Sequence, residues 1–215
     1  MTISQETKKW LRDAGYKYYA FISYPNTKSK SLIRVVERLK EDVFDYPAQS
    51  IDDPELFLDR DNIKGGDKWE KSIAEDLCRS VALLAVITEL YYDPAHKWCG
   101  WEWKNMSTLS NMRLPKENFQ TLIPILIRKC DDLPSGIRKI QCYDFSGLIT
   151  STRYYYQTND YYHMINEIGR RIQNIAKSLS QNNAQADCED FKIVRKSAFL
   201  RKKIREQHEP RFKIV

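Results

Sequence analysis

Continuous apolar runs and stretches of helical periodicity take turns along this chain. The run Tyr18 to Tyr24 (YYAFISY) is β-branched and aromatic and stops at the Pro25-Asn26 turn signal, which predicts a buried strand. Leu32, Val36, Leu39 and Val43 then recur at helical spacing behind Ser29 and Ser31, two residue types that cap helix N-termini. The short run Leu56 to Leu58 ends at Asp59 and gives way to the turn-rich RDNIKGG, after which Trp69, Ile73 and Leu77 share one helical face. Val81 to Ile87 (VALLAVI) is apolar throughout, the pattern of a parallel strand covered on both faces. A helix is predicted from about Trp98 to Ser110, a fourth strand over Thr121 to Ile127 and a fifth over Ile140 to Phe145. Pro124 has no N–H to give a ladder, so it predicts a bend or an edge position.

Tyr161, Ile165, Ile168, Ile172, Ile175 and Leu179 step by four and three, the stripe of a closing amphipathic helix. SLSQNNAQADCED follows, polar enough to read as a linker. Five strands alternating with helices imply βαβ units, and right-handed crossovers then favour an α/β, flavodoxin-like, doubly wound five-stranded parallel sheet with a C-terminal extension. Ligands of such sheets bind beyond the carboxyl ends of the strands, which directs attention to Ser23 to Asn26, Asp59 to Gly66 and the segment after Ile87.

The 215 residues, 42% of them apolar, suffice for one core with extensions and not for two comfortable domains. No run nears the roughly 20 apolar residues of a spanning helix, and MTISQETKKW lacks a leader's apolar stretch, so a soluble intracellular protein is expected. The net charge of +6 is concentrated at the end: from Lys192 onward nine Lys/Arg face only Glu206 and Glu209, a net of +7, leaving −1 for everything before. A near-neutral body gives no electrostatic reason to expect a nucleic-acid groove. We read the tail as a solvated, partly helical segment; contact with RNA, an acidic partner or another protomer is its alternative role. Cys78, Cys99, Cys130, Cys142 and Cys188 show no CxxC or Cys/His ligand spacing, so the expectation is buried thiols, with neither a disulfide framework nor a zinc site.

In order along the chain, YAFISY, LFLDRDNIKGGDKW and SVALLAVITELYYDPAHKWCGWE resemble the first strand, the BB loop, and the third strand with the start of the αC helix in a TIR domain. The resemblance runs from about Tyr18 to the closing helix. It divides the chain into an N-terminal extension (1–16), a TIR domain (17–179), and a polar linker with a basic tail (180–215). Trp98-Cys99-Gly100-Trp101-Glu102 matches the W-x-x-x-E motif that carries the catalytic glutamate of NAD-consuming TIR enzymes. Trp98 and Glu102, four apart on a helix, share a face, so the indole can wall a pocket around the carboxylate.

The resemblance implies NAD+ as substrate, with no cofactor and no metal, and Glu102 as the catalytic group. It implies a substrate-binding set of Ser23, Tyr24, Asp59, Arg60 and Trp98. Tyr24 matches a family position near the nicotinamide. Pro25 and Asn26 stand where the neuronal TIR NADase has two arginines, so phosphate contacts would come from elsewhere, with Lys28, Lys30 and Arg60 as candidates. Gly65 and Gly66 permit close backbone approach in the BB loop, which in the family also packs on a neighbouring TIR, implying a homo-oligomer. Small stand-alone TIR proteins of this kind resemble Thoeris-type sensors of bacterial anti-phage defence. That implies a cytoplasmic enzyme, a phage-derived trigger and a separate effector that senses an ADP-ribose-derived product.

Structural readings stand beside each of these. Glu102 alone is one helix glutamate among 29 acidic residues, Tyr24 alone is strand-end packing, and the BB loop alone is a turn. A non-catalytic adaptor is the alternative function, although no second signalling domain is recognisable. A phospho-receiver would need an acidic cluster at the first strand and a lysine after the fifth. Gly15 to Tyr24 holds no acidic residue and Phe145 is followed by Ser-Gly, so it is discarded. Kinase and P-loop readings fail for want of a glycine-rich phosphate motif.

Overall fold

The computed structural model describes residues 4–48, 55–58, 69–93, 96–115, 121–189, 191, 192 and 194. Four strands, β1 (Tyr18–Ser23), β2 (Glu55–Leu58), β3 (Ser80–Ile87) and β4 (Leu122–Leu126), pair in parallel in the order β2-β1-β3-β4. A two-residue strand, β5 (Tyr143–Asp144), extends the sheet beside β4. The expected fifth strand is therefore cut from Ile140–Phe145 to two residues. Ile140 closes a turn onto Ile137 behind the short helix α5 (Ser135–Arg138), and Asp144 turns its carboxylate back to accept from the Ser146 amide at 2.9 Å. Such an Asx turn ends extended backbone, and α6 (Ser146–Ser151) begins there. The β4–β5 ladder starts only at Ile125, so β4 is open on that side at Pro124, the edge-like place that a residue without an N–H requires.

Helices cover both faces. On one, α1 (Gln5–Asp13), α2 (Lys30–Ala48) and α7 (Asn159–Gln181) enclose a cluster that includes Leu11, Val36, Leu39, Ile168 and Ile172 with Ala20, Ile22, Leu84 and Ile123 of the sheet. On the other, α3 (Trp69–Cys78) and α4 (Lys97–Arg113) enclose Ile73, Leu77, Met106 and Leu109 with Phe21, Leu83 and Ala85. The period of two along β1 explains the split: Ala20 and Ile22 face α2 and α7, whereas Phe21 faces α3 and α4. All eight residues of β3 are buried, as a strand covered on both faces requires. The predicted cap at Ser29 forms, its Oγ accepting from the Leu32 amide at 3.4 Å, and Thr158 caps the closing helix, its Oγ1 accepting from the Tyr161 amide at 3.3 Å. Among the described residues, no helix is long and apolar enough to cross a membrane.

The segment after α7 departs from the linker reading. Asn183, with φ +50, turns the chain back. The Tyr16 hydroxyl then donates to Ala184 O at 2.8 Å, the Ala186 amide donates to Ala14 O at 2.9 Å, and Cys188 forms a disulfide with Cys78 at the end of α3. Farther on, the Val194 amide donates to Asn105 Oδ1 at 3.0 Å in the middle of α4. The expectation of five thiols is thus corrected: two are paired, while Cys99, Cys130 and Cys142 remain thiols. Residues 110 apart in sequence meet because the strap passes the end of α3, a proximity that spacing does not encode. Polar composition misled here because the strap is held by backbone hydrogen bonds and a covalent link, not by an apolar stripe.

Candidate active site

Strand order reverses between β1 and β3, and the crevice at their carboxyl ends is where a doubly wound sheet binds ligands. Ser23, the last residue of β1, lies in register with Ala85 and points, like Phe21, toward α4. β3 leaves the sheet at Ile87 into a single 3-10 turn (Glu89–Tyr92), closed by the Tyr91 amide donating to Thr88 O at 3.0 Å, and this turn swings Tyr91 back under the crevice. From the second turn of α4 comes Glu102.

These three side chains meet. Ser23 Oγ donates to Glu102 Oε2 at 2.5 Å and lies 2.9 Å from the Tyr91 hydroxyl. Ser23 and Tyr91 are wholly buried, and Glu102 is 1% exposed. A carboxylate taken out of water costs several kcal/mol unless it is well hydrogen-bonded, and a packing role would be filled more cheaply by leucine or methionine. A buried helix carboxylate at the ligand-binding end of such a sheet is therefore a candidate functional group. Around it, the Tyr91 ring meets Trp103 edge-on at 6.5 Å, and Cys99 is buried one turn before Trp103.

Trp98, the second residue of α4, lies one turn before Glu102, partly exposed, with its ring edge-to-face against Trp101 at 4.6 Å. Tyr24 is buried in the cluster that faces α2 and α7, across the sheet from α4. Asp59, Arg60, Gly65 and Gly66 lie outside the described residues, as does the basic tail beyond 194. Lys28 lies between the end of β1 and the start of α2, and Lys30 is the first residue of α2. Ser23 is brought to the site, but its hydroxyl is engaged by Glu102 and Tyr91, so its place is behind the carboxylate. His96, just before α4, adds a clamp that the sequence reading passed over: its Nε2 lies 2.9 Å from Asn26 O and ties the loop after β1 to the start of α4.

Tyr91 is the member that sequence reasoning missed. Its only signal is position, an aromatic residue within four of the end of a buried strand on the ligand-binding side. Ser23→Ala tests the linkage of the three: it removes the donor at Glu102 Oε2 and the acceptor for Tyr91 together. Stability in urea at neutral pH is expected to fall by about 1–3 kcal/mol, the cost of disrupting a buried polar pair.

The family model for the TIR domain matches residues 20–154, more than half of the chain and all of the elements that build this crevice. No curated protein and no solved structure matches the chain. With the parallel sheet, the helices on both faces and the W-x-x-x-E carboxylate in place, the chain belongs to the TIR-domain family, which includes NAD-cleaving enzymes and non-catalytic adaptors.

Proposed function

We propose that this chain cleaves the nicotinamide–ribose bond of NAD+, with Glu102 as the catalytic group. The observation that carries the reading is the Glu102 carboxylate itself, buried and held by a 2.5 Å hydrogen bond from Ser23 at the carboxyl ends of β1 and β3. Nicotinamide in NAD+ is a cationic leaving group that departs neutral, so no general acid has to protonate it, unlike the leaving oxygen of an ordinary glycoside. What remains is a ribose with oxocarbenium character. A carboxylate that hydrogen-bonds the ribose hydroxyls and faces the growing positive charge stabilises that state, and it acts most strongly where water is excluded. Attack by water gives ADP-ribose; attack by a ring nitrogen or hydroxyl of the same molecule gives a cyclic isomer; another small molecule gives base exchange or a conjugate.

In this reading the chain resembles the cytoplasmic Thoeris-type sensors, quiet until a phage-derived trigger arrives, with a separate effector to sense the product. Assembly through the BB loop into a homo-oligomer completes the site, and closure of Glu102 belongs to the resting protomer. The same closure, 1% exposure, is the observation that favours a second reading, a non-catalytic adaptor in which the carboxylate never meets a substrate. Nicotinamide release from NAD+ by the full purified chain over a range of protein concentrations separates the two. Release per protomer that rises with concentration supports the assembled enzyme; no release at any concentration, together with no Glu102-dependent loss of NAD+ in phage-challenged cells expressing the chain, supports the adaptor.

A further inference from the structure

Glu102 is held by a serine hydroxyl, and a serine hydroxyl has one proton and a rotatable bond. Ser23 Oγ has two neighbours, Glu102 Oε2 at 2.5 Å and the Tyr91 hydroxyl at 2.9 Å. A carboxylate only accepts, so the Ser23 proton goes to Glu102, and the Tyr91 hydroxyl must then donate to Ser23. We propose that Tyr91 is a positioning residue for the proposed reaction: by donating to Ser23 Oγ it strengthens the bond that the serine gives to Glu102 and holds that hydroxyl, and with it the carboxylate, in one orientation toward the ribose.

Three properties suit Tyr91 to this work. Burial pushes its phenol well above the ordinary tyrosine range, with nearby Cys99 and Glu102 adding to the effect, so it stays a protonated donor. The ring is wholly buried and packs edge-on against Trp103, which leaves the hydroxyl little freedom. Its backbone is tied to the exit of β3 by the bond to Thr88 O, so the Tyr91–Ser23–Glu102 chain links β3, β1 and α4. A carboxylate that must face a developing cation gains most from being oriented before the reaction begins.

This inference rests on the reading of Glu102 as the catalytic group, so its test has two arms. Tyr91→Phe keeps the ring and removes only the hydroxyl. In the full chain kcat for nicotinamide release is expected to fall roughly three- to tenfold, the worth of one neutral hydrogen bond, with KM within about twofold of wild type. Tyr161→Phe is the control. It deletes another buried hydroxyl, 2.6 Å from Asp42 and on the α2–α7 face, so it should lower thermal stability comparably and leave kcat alone. In the second arm, proton NMR should show the Ser23 hydroxyl proton of the short bond downfield of the amides. Tyr91→Phe should shift or broaden it, and Glu102→Gln, whose neutral amide oxygen is a weaker acceptor, should move it upfield. An unchanged kcat and an unchanged hydroxyl resonance in Tyr91→Phe overturn the inference. If wild type releases no nicotinamide under any condition, the enzymatic reading fails. The resonance then still decides whether Tyr91 orients Ser23.

Discussion

Glu102→Gln is expected to lower nicotinamide release by at least about a hundredfold, the usual cost of losing a group that faces transition-state charge in a closed site. KM should change little, because the carboxylate acts on charge that develops only as the bond breaks. Glutamine has nearly the same shape and its amide oxygen can still accept from Ser23, so the helix and the crevice should remain. Thermal stability is expected to be unchanged or higher, since the desolvation of a buried charge is relieved. Loss of turnover with gain of stability would mark Glu102 as a functional group; comparable losses of both, measured by nicotinamide release and thermal melting, would mark it as structural.

The second large effect concerns the strap. Cys78 and Cys188 close a loop of 110 residues, and in the chain-entropy account a link of this span stabilises by roughly 3–5 kcal/mol. Cys188→Ala should therefore lower the melting temperature of the oxidised protein by roughly 6–20 °C for a chain of this size. Dithiothreitol should bring wild type close to the variant and leave the variant unmoved. Cleavage of the disulfide leaves the Tyr16 and Ala14 contacts, the Asn105–Val194 bond and the packing of Ala184, Ala186 and Phe191 on the two cores to hold the strap. Equal melting temperatures for wild type and variant without reductant would show that the link does not form. The result also bears on compartment: thiol-reducing environments disfavour such a link, so the strap is expected to be covalent only where oxidation is permitted.

Much of the fold was legible because hydrophobic period reports burial directly. The uninterrupted VALLAVI became the strand buried on both faces, and the four–three stripe from Tyr161 to Leu179 became α7. Where period and local chemistry competed, period misled. The run from Ile140 to Phe145 is apolar enough for a strand, yet the turn after α5 and the Asp144 Asx turn leave two residues of ladder. The strap was illegible for a different reason: its ties are backbone groups and one disulfide, and neither leaves a pattern in side-chain hydropathy.

At the site, the carboxylate was visible because a short motif fixes both its residue type and its helix. Ser23 was visible because it ends a predicted strand, although its place behind Glu102 depends on which way the pleat points at position 23. Tyr24, one residue on, goes to the opposite face for the same reason. Tyr91 was hidden because a tyrosine after a strand has many uses, and only the 3-10 turn that returns it to Ser23 selects this one.

The most direct test of the central claim is NAD+ consumption with mass-spectrometric identification of the product in cells that express wild type or Glu102→Ala, with and without phage challenge. The account predicts loss of NAD+ and a new ADP-ribose-related product that depend on Glu102. No loss under any challenge, with Glu102→Ala indistinguishable from wild type, would contradict it and leave the adaptor reading in its place.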